Sequence, residues 1–162
     1  MKKLLMISAL FTFSTLISCG NSGGGIDAED ASETSTEAVD AVEITQASTH
    51  VDLQNKGIGP IKNLELSSSI DQAMADAGKA IYDRNCLACH KPTERFIGPP
   101  PQGILERRSP EWVMNMILNP EGMVKEDPLA RALLIEFNGS PMANQNLTEE
   151  EARQVLEYFR TL

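Results

Sequence analysis

The sequence is poor in the residue types that most often build metal clusters and nucleic-acid interfaces. Of its 162 residues only 2 are His and 3 are Cys, and aromatic residues make up 5%. A structural zinc site needs four ligands, so there is material for at most one. Basic residues are scarce too, since 14 Lys and Arg stand against 23 Asp and Glu. Because no basic stripe is present to neutralise phosphates, nucleic acid is disfavoured as a partner.

Long apolar runs are also missing, apart from a short one at the N-terminus. Two lysines precede the apolar residues 4–17, which is the layout of a signal peptide and too short to span a bilayer as a mature helix. Leu-Ile-Ser-Cys-Gly at residues 16–20 resembles the lipobox of bacterial lipoproteins, in which the residue matching Cys19 is lipidated and becomes the new N-terminus. We therefore predict a lipoprotein signal peptide over residues 1–18, with export and anchoring on the periplasmic side of a bacterial membrane. The alternative is an ordinary secretory signal with an unpaired Cys.

The segment after Cys19 has a different composition from the rest of the chain. Residues 19–56 contain no aromatic residue and are rich in Ser, Thr, Ala, Asp and Glu, without an apolar periodicity that could build a core. We predict a disordered acidic tether there, spanning on the order of 35 Å as a flexible coil. An extended lead-in follows over residues 57–68, and a folded domain over residues 69–162.

The most informative motif of the chain is Cys-x-x-Cys-His, formed by Cys86, Cys89 and His90. This spacing is the attachment signature of a c-type haem, because two thiols on one helical turn reach the vinyl groups of one porphyrin. The next residue then donates an imidazole nitrogen to the iron as the proximal ligand. A zinc site would have to recruit Cys19 and His50, and a thioredoxin-like dithiol would need a βαβ context that the flanking sequence lacks. The predicted cofactor is therefore one covalently attached haem c, with its iron.

Capping signals and helical periodicity predict four helices in the domain, and no convincing strand alternation is present. The first start has a polar cap with Asp71 in the first turn, the two middle starts combine a polar cap with Pro at the first helical position, and the last is a capping box. The predicted helices are residues 70–84 led by Ser69, a second from Ser109-Pro110 to Asn119-Pro120, a third from Asp127-Pro128 to about Phe137, and a last one opened by Thr148 and Glu151. The domain is thus predicted to be all-α.

This order of elements resembles a mono-haem class I cytochrome c. The shared elements are a helix, Cys-x-x-Cys-His, a Gly-Pro loop, middle helices, a Met-bearing loop and a capped terminal helix, over most of residues 69–162. The resemblance implies the class I cytochrome c fold, with about four helices around one haem. It also implies that Gly78 and Tyr82 meet Val155 and Tyr158 where the first and last helices cross closely.

The resemblance implies further roles around the iron. Pro99 matches the residue whose carbonyl accepts the Nδ1–H of the proximal imidazole, with Pro100 as a competing candidate. Met142 matches the axial Met that precedes the terminal helix. The alternatives are Met123, or an iron that is open or bound by His50, which we interpret as a solvated linker residue.

Three further residues are candidates for the haem environment. Trp112 is interpreted first as core packing, but its indole N–H is also suited to a haem propionate. Arg107 and Arg108 either pair with propionates or are solvated. Met114 and Met116 lie two apart on one predicted helix, so at most one of them can face the haem.

A haem iron ligated by His and Met has no vacant position for a substrate, so the predicted function is electron transfer rather than catalysis. The expected partners are a membrane-bound donor and a periplasmic acceptor that dock weakly on a monomer. The rival hypothesis is a gas sensor or ligand-binding haem protein with a displaceable sixth ligand. A small haem peroxidase would need an open iron and a distal acid–base residue, and the domain has no further His to serve.

A narrower resemblance concerns the pathway. Residues 106–120, 142–145 and 56–60 are similar to tethered bacterial cytochromes c associated with nitrous-oxide reduction. This resemblance implies nitrous-oxide reductase as an acceptor. It also implies that the ordered chain begins before Ser69.

Overall fold

The computed structural model describes residues 46–162. The predicted signal peptide, the predicted lipidation site Cys19 and residues 20–45 of the predicted tether lie outside these described residues. In the part that is described, no helix is both long enough and apolar enough to span a membrane.

The described chain is built from helices and irregular segments and contains no strand, so the all-α prediction is confirmed. Five α-helices are present, with one short 3₁₀ helix between the first two. In chain order they are α1 (Gln72–Asn85), the 3₁₀ helix (Ile104–Glu106), α2 (Pro110–Leu118), α3 (Pro120–Glu126), α4 (Pro128–Glu136) and α5 (Glu149–Phe159).

The three later predicted starts are confirmed, because each depends on residues within one helical turn. The Ser109 hydroxyl accepts a hydrogen bond from the Trp112 N–H at 3.1 Å at the start of α2. At the start of α4 a carboxylate oxygen of Asp127 accepts a hydrogen bond from the Ala130 N–H at 2.7 Å. At α5 the side chains of Thr148 and Glu151 each accept from the other's backbone N–H, which is the predicted capping box.

Two local predictions were wrong. Helix α1 begins at Gln72, because Asp71 rather than Ser69 supplies the cap and accepts from the Met74 N–H at 3.0 Å. Helix α3 was missed, since Asn119-Pro120 had been interpreted only as the end of α2. Asn119 in fact ends α2 and caps α3, with Pro120 at the first helical position.

The first and last helices cross as closely as the family resemblance implied. A Cβ added to Gly78 would lie 1.9 Å from the carbonyl oxygen of Gln154 and 2.8 Å from the backbone nitrogen of Val155. The Tyr82 and Tyr158 rings pack beside this contact with centroids 5.3 Å apart. A residue without a side chain is therefore required at Gly78, and the predicted crossing is confirmed.

The N-terminal arm, which we define as residues 46–71, is irregular in conformation but packs against the helices. The predicted tether extended too far, because residues at the start of the arm are packed against the domain. Ala47 is only 1% exposed, and the Asp52 N–H donates to the Arg107 carbonyl at 2.9 Å. The packed chain thus begins at least ten residues before the predicted boundary at residue 57. The prediction had sought an apolar periodicity, whereas hydrogen bonds hold much of this segment.

One polar row of α2 supplies many of these hydrogen bonds. Glu111, Asn115 and Asn119 are spaced four apart and share a helix face. The Asn115 side chain is fully buried; it donates to the carbonyls of Lys56 and Ile61, both at 2.8 Å, and accepts from the Ile61 N–H at 3.0 Å. An irregular segment has no backbone ladder of its own, so these side chains satisfy its polar groups.

Candidate functional site

A largely apolar cavity of about 250 Å³ lies among the arm, the end of α1, the Pro-rich loop, α2, α4 and the loop before α5. Every haem-site residue that the sequence predicted within the described chain lines it. These residues are Cys86, Cys89, His90, Pro99, Arg107, Arg108, Trp112 and Met142.

The end of α1 places the two cysteines and the histidine together. The backbone N–H of Cys86 still donates to Tyr82 at 2.8 Å, and the N–H groups of Cys89 and His90 both donate to the Cys86 carbonyl. This tight turn directs all three residues to one cavity. The two sulfurs are not joined in a disulfide, so both are left for attachment of a cofactor.

The described residues offer no set of ligands for a zinc ion. Over residues 46–162, no group of three or more His, Cys, Asp or Glu side chains is arranged to hold a metal ion. His50 has an exposed side chain and does not line the cavity. The cysteines and His90 therefore fit attachment of a group that brings its own metal.

The His90 ring is fixed from two directions. Its Nδ1 lies 2.8 Å from the carbonyl oxygen of Pro99. A carbonyl can only accept, so Nδ1 carries the proton and Nε2 keeps the lone pair that a metal needs. A Cβ on Gly98 would lie 2.3 Å from the ring's Cε1, so glycine is needed to make room for the imidazole. The hydrogen bond goes to Pro99 and not to the competing candidate Pro100.

Two methionine side chains line the cavity, and the alternative ligand Met123 is not one of them. Met142, half-buried in the loop before α5, and Met116, on α2, both contribute to the lining. Met123 is fully buried elsewhere, where its sulfur accepts from the Ile58 N–H at 3.0 Å. Met114 is packed in the core and does not line the cavity. Met142 therefore remains the candidate that the loop position favours, with Met116 as its rival.

Three buried N–H groups of cavity-lining residues have no hydrogen-bond partner within the described chain. They are the Nε of Arg107, the Nε of Arg108 and the indole Nε1 of Trp112. Buried donors are almost always satisfied, so unpaired ones point to an acceptor that binds there. Propionate groups supply such acceptors, and the cavity's apolar lining suits a porphyrin ring. The residues present thus fit a covalently attached haem.

The predicted role of Arg108 needs a correction in part. Its guanidinium already donates to the carbonyls of Ala47, His50 and Arg107, so Nε is its one nitrogen left without a partner for a propionate. Arg107 is held similarly, by the carbonyls of Gly103 at 2.9 Å and Gln102 at 3.2 Å. Both arginines are anchored in place rather than solvated.

Among the lining residues, Met116 had been left open against Met114 in the sequence analysis, and Ser48 had not been singled out. Met116 lies four residues after Trp112 on the same helix face, so a cavity-facing Trp112 was a signal for it. Ser48 had no such signal, because it belongs to the segment that had been interpreted as a tether.

Comparisons with known proteins agree with this geometry. The model of the cytochrome c family matches residues 75–162. Among solved structures, cytochrome c from Rhodothermus marinus is 42% identical with a TM-score of 0.61, over 64% of this chain and 88% of that one. An engineered form of that protein bound to a carbene intermediate is 41% identical with a TM-score of 0.59, over 64% of this chain and 88% of its own. No curated protein matches the chain.

Proposed function

The chain belongs to the cytochrome c family, and from that premise we propose that it is a membrane-tethered carrier of single electrons on the periplasmic side of a bacterial membrane. The family is one of electron-transfer proteins with covalently bound haem c. Cys86 and Cys89 are the residues that fit the attachment. When bound, the haem supplies a one-electron centre in its iron.

The observation that carries the proposal is that His90 and Met142 line one cavity, with the His90 ring held by Pro99. His90 and Met142 would hold a bound haem iron from the protein side, and the iron could then change its charge with little rearrangement of these ligands, which suits electron transfer. The hydrogen bond from Nδ1 to Pro99 makes Nε2 a better donor and fixes the ring's orientation. The largely apolar lining would disfavour water around a bound haem. On this basis we propose that the protein is not itself an enzyme.

The proposed location and partners rest on the sequence. Lipidation at Cys19 would anchor the domain, and a flexible tether would keep it at a raised effective concentration near the membrane. We propose a membrane-bound donor and a periplasmic acceptor, with nitrous-oxide reductase as the specific candidate, acting on a monomer. Electron-transfer partners of this kind dock through small, weak interfaces.

A second candidate function is a haem protein that binds small ligands after displacing Met142. The loop carrying Met142 is lightly held, since in the described chain one hydrogen bond, from Asn144 to the Leu118 carbonyl at 3.3 Å, joins residues 141–147 to another helix. An engineered form of the Rhodothermus marinus protein is bound to a carbene intermediate. A ligand-binding function would need this loop to move so that Met142 leaves the cavity.

Spectroscopy of the ferric protein tests the ligand assignment and the function together. The wild type should show the weak red absorption band of Met-sulfur ligation and a single reversible one-electron wave in a redox titration. Met142→Ala should lose the band, whereas Met74→Ala, a half-buried Met outside the cavity, should keep it. Loss of the band in Met116→Ala instead would show that the ligand assignment is wrong. A wild type without a reversible wave would contradict electron transfer.

A further inference from the structure

The start of the arm reaches the haem cavity at one residue. Ser48 lines the cavity, and its neighbour Ala47 is 1% exposed. We define residues 46–52 as the wall segment. It has no helix or sheet of its own, so something outside it must fix its position.

The Arg108 side chain bonds two backbone carbonyls of this segment. It is 1% exposed, and it donates to the carbonyls of Ala47, at 2.5 Å, and of His50. Beside it the Asp52 N–H donates to the Arg107 carbonyl at 2.9 Å. A planar guanidinium binds several carbonyls at fixed angles, which an ammonium cannot reproduce. The Arg108 side chain thus holds the segment at two carbonyls, and the Arg107 backbone holds it at a third point.

A second clamp comes from α4. The Glu136 carboxylate accepts from the Ser48 N–H at 2.8 Å and from the Ser48 hydroxyl at 2.5 Å. It also pairs with Arg95 of the loop that follows the Cys-x-x-Cys-His motif, at 3.1 Å. Burial alone would raise the pKa of Glu136, but the hydrogen bonds from Ser48 and Arg95 outweigh it and lower that pKa. Glu136 therefore joins the wall segment to two other parts of the cavity rim.

We propose that Arg108 is a positioning residue that holds residues 46–52 as a wall of the haem cavity, and that this wall sets the reduction potential by keeping water out. The inference rests on the proposed electron-transfer function. Its independent support is the unpartnered Nε of Arg108, a buried donor on the same cavity, next to the unpartnered indole N–H of Trp112.

The physical consequence is a stabilised reduced state. A dry site of low dielectric disfavours the more highly charged ferric iron, so excluding water raises the reduction potential. Admitting water through a loosened wall should lower it. The direction is useful because Arg108→Lys keeps the positive charge, so a drop in potential cannot come from lost charge.

The test combines amide hydrogen exchange over residues 46–52 with the midpoint potential of the haem-loaded protein. Arg108→Lys should speed exchange across the wall segment and shift the potential downward. Arg131→Lys is the matched control, because Arg131 is exposed and donates to the carbonyls of Val124 and Lys125, far along the chain from the wall. The control should match the wild type in both measurements.

Glu136→Gln keeps the test decisive if Arg108→Lys fails to fold. Removing a negative charge would by itself raise the potential, whereas loosening the wall lowers it. We expect faster exchange at Ser48 together with a lower potential. Wild-type exchange in both variants, or faster exchange with an unshifted or raised potential, overturns the inference. Neither result touches the proposed function, which fails only if the wild type shows no reversible wave.

Discussion

The two faces of helix α2 pack against different partners. One faces the haem cavity, and the other packs against the N-terminal arm. The cavity face carries Trp112, Val113 and Met116, which line an apolar space suited to a porphyrin. The arm face carries Glu111 and Asn115, whose polar groups bind the N-terminal arm. One face depends on a cofactor, whereas the other is completed by the chain itself. The comparison shows that a polar row on a helix can mark a binding face for backbone rather than a solvated surface.

The largest effect should come from leaving the cavity face without its cofactor. The double variant Cys86→Ala/Cys89→Ala cannot attach haem covalently. Without haem the apolar walls of this cavity of about 250 Å³ lose their packing partner, and we expect a loss on the order of several kcal/mol, comparable with the whole stability of a small domain. We expect that thermal unfolding, measured by circular dichroism, is no longer cooperative. We also expect no haem stain on a denaturing gel.

Cys89→Ala alone serves as the comparison for that variant. It leaves Cys86 to form one thioether, and it should unfold cooperatively at a temperature between those of the wild type and the double variant. A haem-free double variant that melts like the wild type would contradict the dependence of the cavity face on its cofactor.

The arm face should be broken by a single substitution at its centre. Asn115→Ala removes three buried hydrogen bonds and leaves the carbonyls of Lys56 and Ile61 unpaired. We expect a loss of about 3 kcal/mol in the free energy of unfolding, measured by chemical denaturation. Gln72→Ala, an exposed side chain bonded only to Asp76, is the control and should change stability little. Equal losses in the two variants would remove the energetic role we assign to the arm face.

A smaller effect is expected from acid at the same face. Burial alone would raise the pKa of Glu111, but hydrogen bonds from its own backbone N–H, Lys56 and the Leu64 N–H outweigh it and hold that pKa below 4.5. A lowered folded-state pKa contributes stability above about pH 4.5, and the contribution is lost as the pH falls through the folded value. The wild type should therefore lose more stability on acidification than Glu111→Gln.

Unfolding by urea at a series of pH values measures this difference. Glu65→Gln, at an exposed arm position, is the control and should keep the wild-type slope. If Glu111→Gln follows the wild type through the acid range, the Glu111 carboxylate does not stabilise the arm.

What could be predicted from the sequence follows the range of the interactions. The helix starts at Ser109, Asp127 and Thr148 depend on residues three positions away, and all three were predicted. Helix α3 was missed although its signals are local, because Asn119-Pro120 both ends one helix and begins the next. The packing of residues 46–56 was missed for another reason, since the Asn115–Lys56 contact joins residues 59 positions apart.

The residues of the candidate site could likewise be predicted only where their signals are local in the sequence. The motif of Cys86, Cys89 and His90 was visible as five consecutive residues, and the resemblance then indicated Pro99 and Met142. The clamping role of Arg108 had no local signal, because its partners in the wall segment lie 58 and 61 positions away. Contacts of this length depend on how the whole chain packs, which periodicity and capping do not report.

The most direct test of the central claim, that both axial positions of the iron are filled for electron transfer, is to mix the reduced wild-type protein with carbon monoxide. With His90 and Met142 as ligands the visible spectrum should stay unchanged on mixing, while Met142→Ala should bind the gas at once. Rapid binding by the wild type would contradict the electron-carrier account and favour a ligand-binding haem protein.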